Sequence, residues 1–229
     1  MRNDLDAIHI GEQKDFKVAI LGGTAGLGRA LAIRLAASGI HVVIGSRSEE
    51  RGREAARQVS ELTGSAAVEG KRNEEAVEGA DFVVFAVPYP GMYEVAKAVR
   101  ERLMAGCVVV SAVVPLESDL GGPLRYVEPS AGSAAEALQE FLKDRQVVSA
   151  FTFTPAALLE DLSSELDVIV CGERGPAQKL IGLLERVKGI RPLYGGSIRN
   201  ARITERLVQL LIDVNREYKT KNATIRVVL

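Results

Sequence analysis

Residues 16–35 read FKVAILGGTAGLGRALAIRL, and they decide the fold. An apolar run, Val18 to Leu21, meets a glycine cluster, Gly22, Gly23, Gly26 and Gly28. Leu27, Leu31 and Leu35 then recur at helical spacing, with Ala30 and Ala32 beside them. Strand, tight turn and helix in that order open a dinucleotide-binding βαβ unit. The chemistry asks for glycine here. Without a Cβ the chain turns sharply, and its backbone N–H groups approach a pyrophosphate held at the positive end of a helix. Aligned to G-x-G-x-x-G, the segment is Gly23-Thr24-Ala25-Gly26-Leu27-Gly28, with Ala25 in place of the second glycine. Its methyl group should push the phosphates slightly outward.

The next apolar run, IHVVIG, ends at Gly45, and Glu49 to Leu62 is a charged helix with an alanine face. The turn between them chooses the nucleotide. An NAD site places Asp or Glu at this strand end to take the ribose 2′-hydroxyl. This chain offers Ser46, Arg47, Ser48 and, one helical turn later, Arg51. Two guanidiniums and two hydroxyls suit a 2′-phosphate by charge and by bidentate geometry. The alternative is a solvated basic helix start. Positive charge at a helix N-terminus is unfavourable by itself, however, which favours a visiting anion and hence NADP over NAD.

Ala66 to Glu69 reads as a short third strand and Asn73 to Glu78 as a short helix capped by Asn73. ADFVVFAVPYP (80–90) is a buried parallel strand ending at Val87-Pro88, and strand carboxyl ends are where an open α/β sheet places its ligand. Pro88 and Tyr89 are therefore candidates beside the cofactor; Tyr89 could equally pack on the next helix, Met92 to Leu103. Cys107 to Val114 is a fifth strand, stopped by Pro115, and Leu116 to Ser130 is a loop over the active face. A helix (133–142), a strand (147–151), a short Ala-rich helix after Pro155 and a strand (166–171) follow. The chain closes with a helix (178–187), a strand (191–194) and a long amphipathic helix (200–218) striped by Leu207, Leu210, Leu211 and Val214.

The fold expected is α/β, a doubly wound parallel Rossmann sheet with a small C-terminal helical extension. Residues 1–15 read as an N-terminal extension and 16–150 as the NADP-binding domain. Residues 151–229 complete the same domain and close the acceptor site.

Bulk properties narrow the function. A net charge of −1 over 229 residues carries no nucleic-acid or acidic-surface signal. No apolar run approaches the ~20 residues that span a bilayer. The start, MRNDLDAIHIGEQKDF, is acidic where a signal peptide is basic, which points to a cytoplasmic protein. Cys107 and Cys171 each sit in an apolar strand-like run and read as buried small hydrophobes. With only His9 and His41, metal and Ser-His chemistry lack their parts, and no catalytic side chain stands out.

Taken together, KVAILGGTAGLGRALAIRLA, VVIGSRSEE, AVPYP, VVVSAVVPL, SAAEAL, VVSAFTFTPA and VCGE resemble the NADPH-dependent reductases of coenzyme F-420, a deazaflavin. The resemblance runs from about Lys17 to the end of the chain. It implies a small Rossmann homodimer that passes a hydride between NADPH and the deazaflavin. It also implies that Thr24 to Leu27 meet the pyrophosphate and ribose, and that Ser46, Arg47 and Arg51 hold the 2′-phosphate. Tyr89 would lie at the cofactor, Val114 and Ala156 at its nicotinamide end, and Ala223 where an apolar residue contacts the deazaflavin. Thr152 stands where the family often has His or Asn, and KTKNATIRVVL (219–229) replaces a glycine-rich tail.

Hydride transfer between two cofactors needs stacked rings about 3–3.5 Å apart and excluded water, with no nucleophile and no strong acid. The residues present fit that need better than an alcohol or imine reduction, which must supply a proton; Thr152, Thr154 and Tyr89 could still donate one. Residues 197–229 carry seven basic side chains against three acidic ones, which could attract an anionic cofactor tail or form a solvated face. Two other readings stay open: a reductase of a small imine or keto acid, and a non-catalytic NADP-binding sensor.

Overall fold

The first strand, Lys17–Leu21 (β1), is apolar at successive positions because both of its faces are covered. Val18 and Ile20 enter one core, and Ala19 and Leu21 enter a second core on the opposite face. This two-sided burial is the mark of a central parallel strand. The computed structural model describes residues 16–229, so the expectation for residues 1–15 lies outside the described residues. After β1 come the helix Gly26–Ala37 (α1), the strand His41–Ser46 (β2), the helix Glu49–Thr63 (α2) and the strand Val68–Arg72 (β3). A short helix Asn73–Ala76 (α3), the strand Phe82–Phe85 (β4), the helix Met92–Val99 (α4) and the strand Val108–Ser111 (β5) follow. The last third holds Ala134–Leu142 (α5), Gln146–Ser149 (β6), Ala156–Glu160 (α6), Leu166–Gly172 (β7), Arg174–Leu184 (α7), Ile190–Tyr194 (β8) and Ala201–Glu217 (α8).

In space the strands run β3-β2-β1-β4-β5-β6-β7-β8. The order reverses direction between β1 and β4, which makes that junction the switch point of a doubly wound sheet. Helices α1, α2 and α7 cover one face and α4 and α5 the other. Each fully buried Ile, Leu or Val in these cores contributes roughly 1.5–3 kcal/mol of transfer free energy. Both cysteines are buried free thiols, as their apolar surroundings predict.

The doubly wound, mostly parallel sheet is the one expected, with a single antiparallel pairing among the described strands: β7 pairs antiparallel to β6 through two residue pairs, and β8 runs parallel to β7. A continuous apolar run such as LDVIVCG is compatible with either direction, so its sequence carries no directional information. Asn73 does not cap a helix. β3 runs straight into α3, the capping position falls on Arg72, and Asn73 becomes a buried residue of the first turn. The apolar stripe of α8 is only partly covered: Leu211 is buried, Leu207 and Val214 are half-buried and Leu210 is 57% exposed, while Ala201, Thr204 and Glu205 also face inward.

The polar inward face of α8 has a reason. Glu205 accepts hydrogen bonds from the backbone N–H groups of Ala134 (2.8 Å) and Ala135 (3.1 Å), satisfying donors left open at the start of α5. Burial pushes its carboxyl up to about 7 against the pull of those two donors.

A second buried polar group ties α1 to the α6–β7 and α7–β8 connections, which pack on the same face of the sheet. Arg34 is fully buried, and its guanidinium donates to the carbonyls of Leu158, Leu159, Asp161 and Lys188 at 2.6–3.1 Å, with longer bonds to Leu162 and Ser164. Burial lowers its pKa, and the nearby Asp161 opposes that shift. The planar fork of arginine gathers the α6–β7 connection around one point.

Candidate functional site

The turn after β1, the end of β2 and the segments after β4 and β5 converge on a cavity of about 690 Å³. It lies at the carboxyl ends of the strands, over the switch point, where this fold class binds ligands. Gly22 (φ +86°) makes the sharp turn, and a Cβ there would stand 2.6 Å from the Ala86 carbonyl oxygen. Gly28 lets α1 pack on the turn, since a Cβ would press into the Gly22 carbonyl. A Cβ on Gly23 would meet Ile44 at 3.0 Å and the Ile20 carbonyl at 3.1 Å. Gly23 and Gly28 therefore shape the turn from behind. Thr24, Ala25, Gly26 and Leu27 form the cavity wall, with Ala25 at the N-cap of α1. Ala25 offers no capping side chain, which leaves the first N–H groups of α1 available to an anion.

Ser46, Arg47, Ser48 and Arg51 line one end of the cavity. The Ser48 side chain caps α2 by accepting from Arg51 N at 3.4 Å, and Ser46 Oγ accepts from Ser48 N at 3.2 Å. These bonds fix the turn that presents the two arginines. On α2, Arg53 pairs with Glu49, and Arg57 pairs with Glu54 and Glu61. Arg47 and Arg51 have no carboxylate partner among the described residues. Two guanidiniums without a carboxylate partner therefore stand together at the start of α2, on the cavity wall.

Pro88 and Val114 also line the cavity, with Ala86, Val87, Ala112 and Val113 forming an apolar wall. Tyr89 does not. Its ring packs edge-on against Tyr93, with centroids 6.4 Å apart, and its backbone N–H donates to Asp119 Oδ2 at 3.3 Å. Burial, with Tyr93 and Glu205 nearby, pushes its hydroxyl up to about 12. It serves the rim, by fixing the loop that carries Asp119. Ala156 starts α6 and packs half-buried on the core outside the cavity lining. Ala223 lies in the C-terminal tail, with its N–H on Asn215 Oδ1 at 3.0 Å, also outside the lining. The tail is tied to the β7–β8 edge, where Val227 N donates to Asp167 Oδ2 at 2.6 Å.

The lining includes residues that pattern reasoning missed: Asn73, Gly91, Glu94, Val95 and Asp119. Asn73 reads as a cap in sequence, and Asp119 sits in a loop with no periodicity. Thr152 and Thr154 are buried in the turn after β6, where Phe151 adopts φ +63°. That left-handed geometry is costly for a non-glycine residue and marks a turn held by its surroundings.

Comparison with known proteins agrees with this geometry. Residues 17–115, which contain β1 to β5, match the family described as NADP oxidoreductase coenzyme F420-dependent. The chain is 38% identical to the F420-dependent NADP reductase of Methanocaldococcus jannaschii over 219 residues, 92% of this chain and 97% of the relative. It is 35% identical to the F420-dependent NADP reductase of Methanothermobacter thermautotrophicus, over 92% of this chain and 94% of the relative. A crystal structure from Arthrobacter sp. FB24, provisionally assigned as an F420-dependent NADP reductase, superposes with a TM-score of 0.78 at 25% identity, covering 93% of this chain and all of that one. A shared nucleotide-binding architecture and near full-length identity of this degree have one explanation: the chain belongs to the coenzyme F420-dependent NADP oxidoreductase family.

Proposed function

We propose that the protein transfers a hydride between NADP(H) and the deazaflavin coenzyme F-420. The observation that carries the NADP half is the pair of unpaired arginines, Arg47 and Arg51, beside Ser46 at the end of β2. They would hold the 2′-phosphate, while Gly22, Thr24, Ala25, Gly26 and Leu27 would take the pyrophosphate on the open amides of α1. Pro88 and Val114 would border the nicotinamide end along the apolar wall, which excludes water from a reaction that needs none. When bound, the nicotinamide supplies or accepts the hydride; the chain supplies position and a dry surface. The deazaflavin half follows the names of the relatives, F420-dependent NADP reductases identical at 35–38%.

Anaerobic mixing of the protein with NADPH and oxidised coenzyme F-420 tests this reading. Rapid loss of the deazaflavin's visible absorbance is expected. NADPH binding without bleaching would remove coenzyme F-420 as the acceptor and return the imine and sensor readings.

The same proposal takes the working form to be a cytoplasmic homodimer. Support for the dimer is the outer face of α8, where the apolar side chains of Ile203 (62%) and Leu210 (57%) remain exposed. Sedimentation of the protein alone is expected to give twice the 24.6-kDa chain mass; a monomer across the micromolar range would refute the dimer.

A further inference from the structure

We infer that Asn73 is a further binding and specificity residue of this cavity, donating a hydrogen bond from its carboxamide to the 2′-phosphorylated ribose of NADP(H). The inference rests on the NADP(H) reading of the site. Asn73 is only 6% exposed, yet it lines the cavity. Among the described residues its Oδ1 is fully buried without a hydrogen-bond partner, and Nδ2, which is not sealed off in that way, bonds to no protein group, so its N–H donors are open to a ligand.

The backbone around Asn73 makes room for it. Gly45 ends the apolar part of β2, and a Cβ there would stand 2.9 Å from Asn73 Oδ1 and 2.7 Å from Leu21. A side chain at position 45 would displace the carboxamide, and glycine leaves it a seat. Strand register then sets its height. Ser46 pairs with Arg72 across β2 and β3, so the next residue, Asn73, is level with the Ser46–Arg47 turn. With Oδ1 seated against Gly45, Nδ2 is the polar end left to the cavity, and it only donates.

An uncharged donor beside two unpaired guanidiniums calls for the same acceptor as they do, an oxygen of a phosphorylated ribose. The division of labour follows from chemistry. The exposed arginines supply charge on long, mobile stems. The buried carboxamide supplies a fixed direction, because its neighbours hold its rotamer.

Titration calorimetry of NADP⁺ and NAD⁺ binding to the whole protein tests this. Asn73→Ala is expected to raise the NADP⁺ dissociation constant about tenfold and to change that of NAD⁺ less than threefold. Asn73→Asp keeps the side-chain shape against Gly45 but turns the donor into a carboxylate, and is expected to weaken NADP⁺ by about a hundredfold. Thermal unfolding of both variants reports folding, and Asn73→Asp carries the test if the alanine variant does not fold. NADP⁺ affinity within threefold of the parent in a folded variant, or an equal loss for NAD⁺, would overturn the inference. A parent protein that itself fails to bind NADP⁺ would overturn the reading of the whole cavity. A parent that binds, with variants that match it, removes Asn73 alone.

Discussion

Replacing Arg47 with glutamate is expected to raise the dissociation constant for NADPH by about a hundredfold or more, while NADH binding changes less than threefold. A charge-assisted hydrogen bond contributes about 1.5–3 kcal/mol, and reversing the charge adds repulsion of the phosphate to the loss of that bond. Solvent tempers the effect, since Arg47 is exposed at the mouth of the cavity. Arg51 stays in place and keeps part of the attraction. Selectivity, more than total affinity, is the informative quantity. NADH presents a ribose hydroxyl at this point, so removal of a cation there costs it little. Fluorescence titration of both nucleotides measures it directly. Equal losses for NADPH and NADH would refute the assignment of this turn to the 2′-phosphate. Raising the salt concentration should shrink the difference between parent and variant, because the arginine acts largely through charge.

The second large effect concerns stability. Arg34→Met is expected to lower unfolding stability by about 3 kcal/mol, an apparent drop in melting temperature of roughly 6–12 °C for a chain of this size. Methionine fills much of the same volume but donates nothing, so the carbonyls now gathered on one guanidinium lose their shared donor. The cost is moderated because several of these carbonyls belong to exposed residues that water can reach. Arg34→Lys should recover little of it, since an ammonium is a point donor and cannot span carbonyls from residue 158 to residue 188. Denaturant unfolding of both variants is the measurement. A loss below 1 kcal/mol for Arg34→Met would show that the α6–β7 connection is held by apolar packing, with Leu159 as its buried anchor, and not by the arginine fork.

The two residues differ in how they could have been found. Arg47 is legible in sequence because its position relative to a strand end and a helix start is local. Glycine turn, second strand and basic turn lie within 36 consecutive residues, 16–51, and local sterics and charge fix what each can do there. Arg34 is not legible. On the helical pattern it reads as one more polar position of α1, and its partners lie 124–154 residues away along the chain. Asn73 is a sharper case: Asn before a short helix predicts a cap, but the register of β3 beside β2 moved the cap to Arg72 and buried Asn73 against Gly45.

The sequence by itself determined the dinucleotide turn, the basic turn after β2, the alternation of strands and helices, and the family resemblance. These depend on periodicity, glycine sterics and charge within a few residues of each other, and those act before any tertiary contact exists. The tertiary structure alone decided that β7 and β8 reverse the sheet, that α8 turns Thr204 and Glu205 inward, and that Tyr89 serves the rim and not the cavity wall. Each of those outcomes depends on which distant group arrives to satisfy a donor or cover a face, and a linear pattern does not record that arrival.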